Sequence, residues 1–373
     1  MDFQLSDEQK LLLDSVRTFV KQRSPIARFR KLRDDGGGWD RAVWREMGEL
    51  GWLSLPFPES VGGFGGTFVD VSILMEAFGS ALVPEPYLAS VVLAGTAVLH
   101  GGTAAQQQRW LAPMIEGHAS LALAWAEPGR RFDDTPHGTT AMRSSGGWRV
   151  RGKKEFVLHG QHADTIVISA KGERGTELFV ATREQVKVTP VRTIDGLGAA
   201  IIEIDVEFAE DQRLGGGDAG DALARALDAA AAMSVAEGVG VCQAVLELTT
   251  THLRTREQFG VAIGSFQALQ HRAVEMFVEV ELVRSIAILA ALRAADDDAS
   301  ERRRAVSAAK AQLAMGGRFV TQQAIQLHGG IGITDEHDVG LYFKRMHALG
   351  LLFGDEEHHI RRFAAQPSFA AGS

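Results

Sequence analysis

The chain has 373 residues, 45% apolar and 23% charged, with a formal net charge of -8. That length exceeds one small core, so two or three packed units are expected. The negative balance gives nucleic acid no general attraction. A single cysteine, Cys242, excludes an intrachain disulfide and a cysteine metal cluster.

The N-terminal stretch MDFQLSDEQK carries no signal-peptide pattern, and no apolar run approaches the ~20 residues of a membrane span. The expectation is a cytoplasmic protein without membrane or nucleic-acid partners. Histidines are scattered, there is no HExxH, and adjacent His358 and His359 cannot aim both rings at one point from a helix, so no metal site is expected. Residues 1–120 read as a helical domain. Ser6 followed by Gln9 makes a capping box, and Leu12, Val16, Phe19 and Val20 recur at helical spacing. Asp40 is placed to cap a second helix bearing Val43, Trp44 and Leu50. SLPFPESVGGFGGT, 54 to 67, is an ordered loop; its GGxGG is not the GxGxxG of a dinucleotide fold. Helix resumes from 68 to about 117.

Residues 121–212 change period. WRVRGKKEFVLHG, DTIVISA, TELFVATRE, QVKVTP and AAIIEIDVEFA are short runs rich in Val, Ile and Phe, parted by Gly, Asp and Pro. They predict a compact antiparallel sheet domain, a small barrel or sandwich. Residues 213–373 return to helical period. Phe266, Leu269, Ala273, Phe277 and Val280 form one stripe; Val306, Ala309, Leu313, Val320, Ala324 and Leu327 form another, across the polar break AADDDASERRR. Each stripe reads equally as core or as a subunit interface within a helical bundle. Helices, sheet, then helices make an α+β chain, neither a TIM barrel nor a doubly wound fold.

Two stretches say more. LRTREQFGVAIGSFQALQHRAVEM (253 to 276) and QAIQLHGGIGITDEHDVGLYFKR (323 to 345), with MDFQLSDEQ and LSLPFPESVGGFGG near the start, resemble the acyl-CoA dehydrogenase family over essentially the whole chain. The resemblance implies an N-terminal helical domain, a middle β-domain and a C-terminal four-helix bundle, usually assembled as a tetramer. It implies FAD, an acyl-CoA thioester substrate, and an electron-transferring flavoprotein as acceptor. In the family a glutamate takes the α-proton and flavin N5 takes the β-hydride.

By the same resemblance, Arg256 reaches the FAD of a neighbouring subunit, where its fork of donors suits a pyrophosphate. Phe259 packs on the flavin or its sugar chain. Gln267 and Gln326 offer amide contacts, and Gly329 and Gly330 let backbone approach the cofactor. Arg254, two residues before Arg256, faces elsewhere on a helix. A solvated helix arginine and a plain helix end are the structural alternatives for Arg256 and for the glycines. His328 reads as a packed histidine rather than a ligand.

The sequence departs from the family at its own flavin pocket. Where a TEPxxGSD stretch is expected, the chain has AWAEPGRRFDD (124 to 134): Glu127 and Pro128 remain, Ala126 replaces the threonine, and Arg130 and Arg131 fill the space. FVLHG, 156 to 160, stands where a Trp-Ile-Thr or Trp-Val-Thr stretch is expected; Trp125 is the nearby ring available for stacking. The base position of the tail is Phe353, followed by Gly354, and the alternative base position is Ala231. Asp355, Glu356, Glu357, Asp228 and Glu237 are the substitutes to weigh.

The pattern resembles the base-lacking subunit of actinobacterial α2β2 enzymes that act on steroid-CoA esters. There it would act with a homologous base-bearing subunit. An autonomous homotetramer with a base among Asp355, Glu356 and Glu357, and a non-catalytic binding homologue, are the competing readings. Ala229 to Ala232 read either as room for a bulky acyl group or as helix filler.

Overall fold

The computed structural model describes residues 5–36 and 38–367. Helices α1 (Asp7–Arg23), α2 (Ile26–Asp34), α3 (Arg41–Glu49) and α4 (Phe68–Ala81) come first. A π-helical segment, Tyr87–Gly95, runs into α5 (Thr96–Gly101), and α6 (Ala104–Ile115) follows. The middle of the chain forms β1 (Leu121–Ala124), β2 (Thr140–Ser144), β3 (Gly147–Leu158), β4 (Thr165–Gly172), β5 (Gly175–Thr182), β6 (Lys187–Val191) and β7 (Ala199–Phe208). Then come α7 (Gly220–Thr255), a hairpin of β8 (Glu257–Gln258) and β9 (Val261–Ala262), and α8 (Gln267–Arg293). Last are α9 (Ala299–Gln312), α10 (Arg318–His328), α11 (Val339–Leu351) and α12 (Glu356–Ala364). The architecture is α+β: N-terminal helices, a middle sheet domain and C-terminal helices.

The contacts divide into two compact units. One comprises the described residues of Met1–Lys31, Phe68–Val83 and Ala231–Ser373. Within it, α1 starts on the expected capping box: Gln9 N donates to Ser6 Oγ at 3.2 Å, and Ser6 N donates to Gln9 Oε1 at 3.1 Å. Val16 and Phe19 are the buried face of α1, and Gln9 Nε2 ties it to Asp70 of α4 at 2.8 Å. Helix α4 touches the second half of α7 backbone to backbone. A Cβ at Gly79 would stand 2.0 Å from Glu237 O, and one at Gly240 would stand 1.9 Å from Glu76 O. The stripe Val306, Ala309, Leu313, Val320, Ala324 and Leu327 is buried throughout, so it is core. The other stripe divides: Val280 is buried, while Phe266 and Phe277 are exposed. Helix α8 buries Met276, Val280, Val283, Ala287, Ala290 and Ala291. It leaves Val274, Val278, Leu282, Leu289 and Leu292 exposed at helical spacing on its outer face.

One reading of the sequence is corrected here. Helix α7 is long and apolar enough, by length and composition, to cross a membrane. Yet 89% of its most apolar window is buried inside the protein, as a core helix is.

The second unit comprises the described residues of Leu32–Thr67 and Pro84–Ala230. Asp40 caps α3, its carboxylate accepting from Ala42 N at 2.8 Å. The sheet runs β1-β4-β2-β3-β7-β6, with β5 paired to β4. Its core includes Trp148, Ile166, Ile168, Phe179, Ile202 and Phe208. The expected sheet was antiparallel; the observed one is mixed, because β1 pairs with β4 in parallel over Leu121–Ala124 and β2 touches β4 in parallel at Thr140. The β2–β3 hairpin intervenes between β1 and β4 in the chain, so their connection is a crossover, and apolar alternation carries no information about strand direction. A register irregularity between Lys154 and Val157 sets Phe156 at φ +53° and turns it outward.

Candidate functional site

The two matching motifs converge in the first unit. Helix α7 ends at Thr255, and the backbone of Arg256 is fixed on both sides: its N donates to His252 O at 2.9 Å, and its O accepts from Ile263 N at 2.8 Å. The β8–β9 hairpin turns through Phe259 (φ +57°) and Gly260 (φ +80°). Phe259 is 92% exposed at the tip, and its ring meets Phe266 edge-on at 6.2 Å. Arg256 and Arg254 are both exposed, and neither guanidinium has a hydrogen bond or ion pair among the described residues. Five residues after the hairpin, α8 begins at exposed Gln267. Its N-cap, Phe266, offers no side-chain acceptor, and its first turn holds no acid. Leu269 N donates to Phe266 O at 3.0 Å, but the N–H groups of Gln267 and Ala268 have no partner among the described residues and carry the positive end of the helix dipole.

The second motif closes α10. Gln326 is exposed, and its carbonyl accepts from Gly329 N. Gly329 adopts φ +64°, which glycine tolerates, and a Cβ at Gly329 or Gly330 would meet nothing within 4 Å. His328 is buried, as expected of a packed histidine. Its Nδ1 donates to Ala324 O at 2.8 Å. Its ring stacks on His252 with centroids 4.5 Å apart, and this contact brings the two motifs together. An open helix N-terminus, an unpaired guanidinium, an exposed ring and a turn with no side chain in the way fit the phosphates and rings of a dinucleotide such as FAD.

The residues that would serve the chain's own flavin are otherwise engaged. Glu127 is buried, and its carboxylate accepts from His137 N, Gly138 N and Thr139 N at 2.9, 2.6 and 2.9 Å and from Lys154 Nζ at 2.8 Å. Burial works against that charge, but Lys154 and the N–H donors outweigh it and hold the carboxyl at about 2. Burial pushes Lys154 down to about 8, against the pull of Glu127. The pair scaffolds the turn at 137–139. Ala126 has no hydroxyl; Trp125 is half-buried; Arg130 and Arg131 are exposed. His159, in the FVLHG stretch, is buried at φ +59° with Nε2 3.0 Å from Ser120 Oγ.

At the tail, Phe353 is buried at φ +60°. The glycine after it is required: Gly354 adopts φ +132°, and a Cβ there would stand 2.5 Å from His359 Nε2. Ala231 is buried. Glu237 is clasped by Arg345, with Nε and Nη2 at 2.6 and 2.9 Å from its two oxygens. Asp228 is buried. Asp355 caps α12, accepting from His358 N at 2.9 Å; Glu356 pairs with Arg318 at 3.0 Å and Glu357 with Arg361 at 3.5 Å. These three acids rim a cavity of about 680 Å³ with a largely apolar floor that includes Phe343, Met346 and Leu351.

Sequence reasoning gave no role to Arg345, His252, His337 or Lys310: Arg345 and His337 lie inside the 323 to 345 stretch but carry none of its expected contacts, and His252 and Lys310 lie outside both stretches. Lys310 is fully buried with no carboxylate partner among the described residues, donating to Leu349 O at 2.5 Å. Burial pushes its ammonium down to about 7.

Residues 6–118 match the model of the acyl-CoA dehydrogenase N-terminal domain, and residues 220–366 match that of the C-terminal domain. Acyl-CoA dehydrogenase IpdE2 of Mycolicibacterium smegmatis is 31% identical over 366 residues, spanning 97% of this chain and 99% of that protein. A chain of the ChsE4-ChsE5 complex from Mycobacterium tuberculosis has a TM-score of 0.89 at 28% identity, with 99% of both chains covered. A chain of a Tcur3481-Tcur3483 steroid ACAD variant has a TM-score of 0.88 at 28% identity, covering 98% of this chain and 99% of that one.

Proposed function

The chain belongs to the acyl-CoA dehydrogenase family, FAD-dependent oxidoreductases acting on CH–CH bonds, and on that premise we propose that it is the base-lacking subunit of a mixed α2β2 assembly. It completes the FAD site of a homologous, base-bearing partner. Arg256 and the open start of α8 neutralise the dinucleotide phosphates. Phe259 covers a ring, Gln267 and Gln326 offer amide hydrogen bonds, and Gly329 and Gly330 admit the cofactor close to backbone. FAD, when bound, supplies the hydride acceptor. This chain supplies no proton acceptor of its own: Phe353 fills the base position with hydrocarbon.

A bulky, steroid-derived acyl-CoA is the proposed substrate class, and an electron-transferring flavoprotein the proposed acceptor. Similarity to a Tcur3481-Tcur3483 steroid ACAD supports the former, and similarity to a ChsE4-ChsE5 complex supports the mixed assembly. One observation carries the reading. The six residues proposed to meet FAD are exposed on one chain, while Glu237, Asp355, Glu356 and Glu357 are each held in another bond.

The test is to purify the chain alone and together with a base-bearing homologue encoded beside it, then measure bound flavin per chain. The lone chain is expected to carry none, and the pair to carry half an equivalent per chain. A full equivalent with turnover in the lone chain, abolished by Asp355→Asn, Glu356→Gln or Glu357→Gln, would return the base to the tail and overturn the reading.

A further inference from the structure

Three histidines that no motif assigns form a column where the two motifs meet. His252 belongs to the last turn of α7, one turn before Arg256. His328 lies between Gln326 and Gly329. His337 lies in the loop before α11. The His252 and His328 rings stack at 4.5 Å with an interplanar angle of 28°, and His328 and His337 lie 4.5 Å apart at 55°. Two hydrogen bonds set tautomers. His328 Nδ1 donates to Ala324 O at 2.8 Å, which leaves Nε2 buried with no hydrogen-bond partner among the described residues. His337 Nδ1 accepts from Val339 N at 3.1 Å, so that nitrogen is bare.

Among the described residues, no hydrogen bond or ion pair joins the α7 end to the Gly329–Gly330 turn, so the ring contact is what links them. No carboxylate among the described residues forms an ion pair with the column. Arg256 stands at the His252 end as a like charge. Arg272 of α8 reaches Gln323 of α10 at 3.4 Å, another cation on this side. On the loop bearing His337, Asp338 is held by Arg30 at 2.8 Å, Asp335 lies 3.6 Å from Lys344, and the Glu336 carbonyl accepts from Arg30.

We propose that the His252–His328–His337 column is a positioning element that keeps Arg256 in register with the Gln326–Gly330 turn, so that both grip one dinucleotide while the rings are neutral. The proposal rests on the reading that this face receives a partner's FAD. The rings do not touch the cofactor; they fix the spacing between the two segments that do. A second proton in the column would set like charges in ring contact with no anion to separate them. Burial already pushes His328 down to about 4, with His337 and His252 adding to it against the Ala324 bond. It also lowers His252, with His337 and Arg256 adding.

The experiment uses the complex with the base-bearing partner, stripped of flavin and titrated with FAD by flavin fluorescence from about pH 4 to 8, a range extended to the acid side of ordinary histidine titration because His328 and His252 are both lowered. Wild-type affinity is expected to fall toward the acid end. The His252→Phe/His328→Phe pair retains flat rings that take no proton; it is expected to match wild type at the alkaline end and to lose the slope. His328→Ala is expected to weaken FAD by about tenfold at every pH, the cost of one misaimed charge-assisted hydrogen bond. An unchanged slope in the Phe pair, or wild-type affinity in His328→Ala, overturns the proposal. If His328→Ala fails to assemble, the Phe pair decides. A complex whose flavin is insensitive to Arg256→Ala would instead sink the functional reading, and this proposal with it.

Discussion

Glu237 and Lys310 are buried charged residues outside both matching stretches, and each is held by structural bonds. Glu237 was a candidate base by position, yet both of its oxygens are taken by Arg345 at 2.6 and 2.9 Å. Removing one partner of such a pair leaves the other buried and uncompensated, which costs about 3–5 kcal/mol. Glu237→Gln should therefore lower the thermal midpoint well beyond an ordinary surface change. Flavin content of whatever complex survives should stay at the wild-type level; normal stability with lost flavin would mark Glu237 as a site residue instead. Lys310 makes a pH prediction. Its folded pKa, about 7, lies below the ordinary 10.5, so the neutral amine is the form that folding favours. Its contribution is full above the unfolded pKa and is lost as pH falls through the folded one. Unfolding by urea at a series of pH values should show wild type gaining on Lys310→Met from pH 7 upward, flattening near 10.5. A constant difference would mean that the ammonium stays charged in place.

At the level of elements, the sequence was most legible where one local rule sufficed. Ser6 with Gln9, and Asp40 alone, placed two helix starts correctly because a cap is a contact across two or three residues. The long strands were legible too, β3 and β7 by their alternation and β4 and β5 as eight-residue runs rich in Val, Ile, Leu and Phe. The four-residue β1, wholly buried, shows no alternation, and β2 is only five residues long. Helix α2 buries Phe29 as its sole buried side chain and so offers no stripe. The stacking of His252 on His328 joins residues far apart in the chain, and no local pattern announces it. Helix α8 was legible as apolar, but its two faces were not separable. Only packing shows that Val280 points inward while Val274 and Leu282 remain outside. That outer face is apolar enough to expect a partner over it. Phe277→Glu with Leu282→Glu should leave the fold of the chain intact, since both residues are about half exposed. It should shift the assembly to smaller species in light scattering; an unchanged mass would place the partner elsewhere.

For the molecule as a whole, the question is whether one residue separates this chain from an autonomous enzyme. On the proposed reading Phe353 stands in the base position, and Phe353→Glu places a carboxylate there. The surroundings argue against recovery. Position 353 sits at φ +60°, buried, next to a glycine that His359 leaves no room to change. A buried carboxylate there would be pushed toward its neutral form unless something stabilised its charge. The flavin side is altered independently. Ala126 lacks a hydroxyl, Phe156 is turned outward by the irregularity in β3, and Glu127 is consumed by Lys154 and the 137–139 turn. Two losses in separate segments of the chain do not yield to one substitution. The lone Phe353→Glu chain is accordingly expected to bind no flavin and to show no turnover with a dye acceptor. The same variant in the mixed assembly should leave flavin at half an equivalent per chain, because the occupied site would take its proton acceptor from the partner. Flavin rising toward a full equivalent in that assembly would mean that the second site was intact all along and lacked only its base.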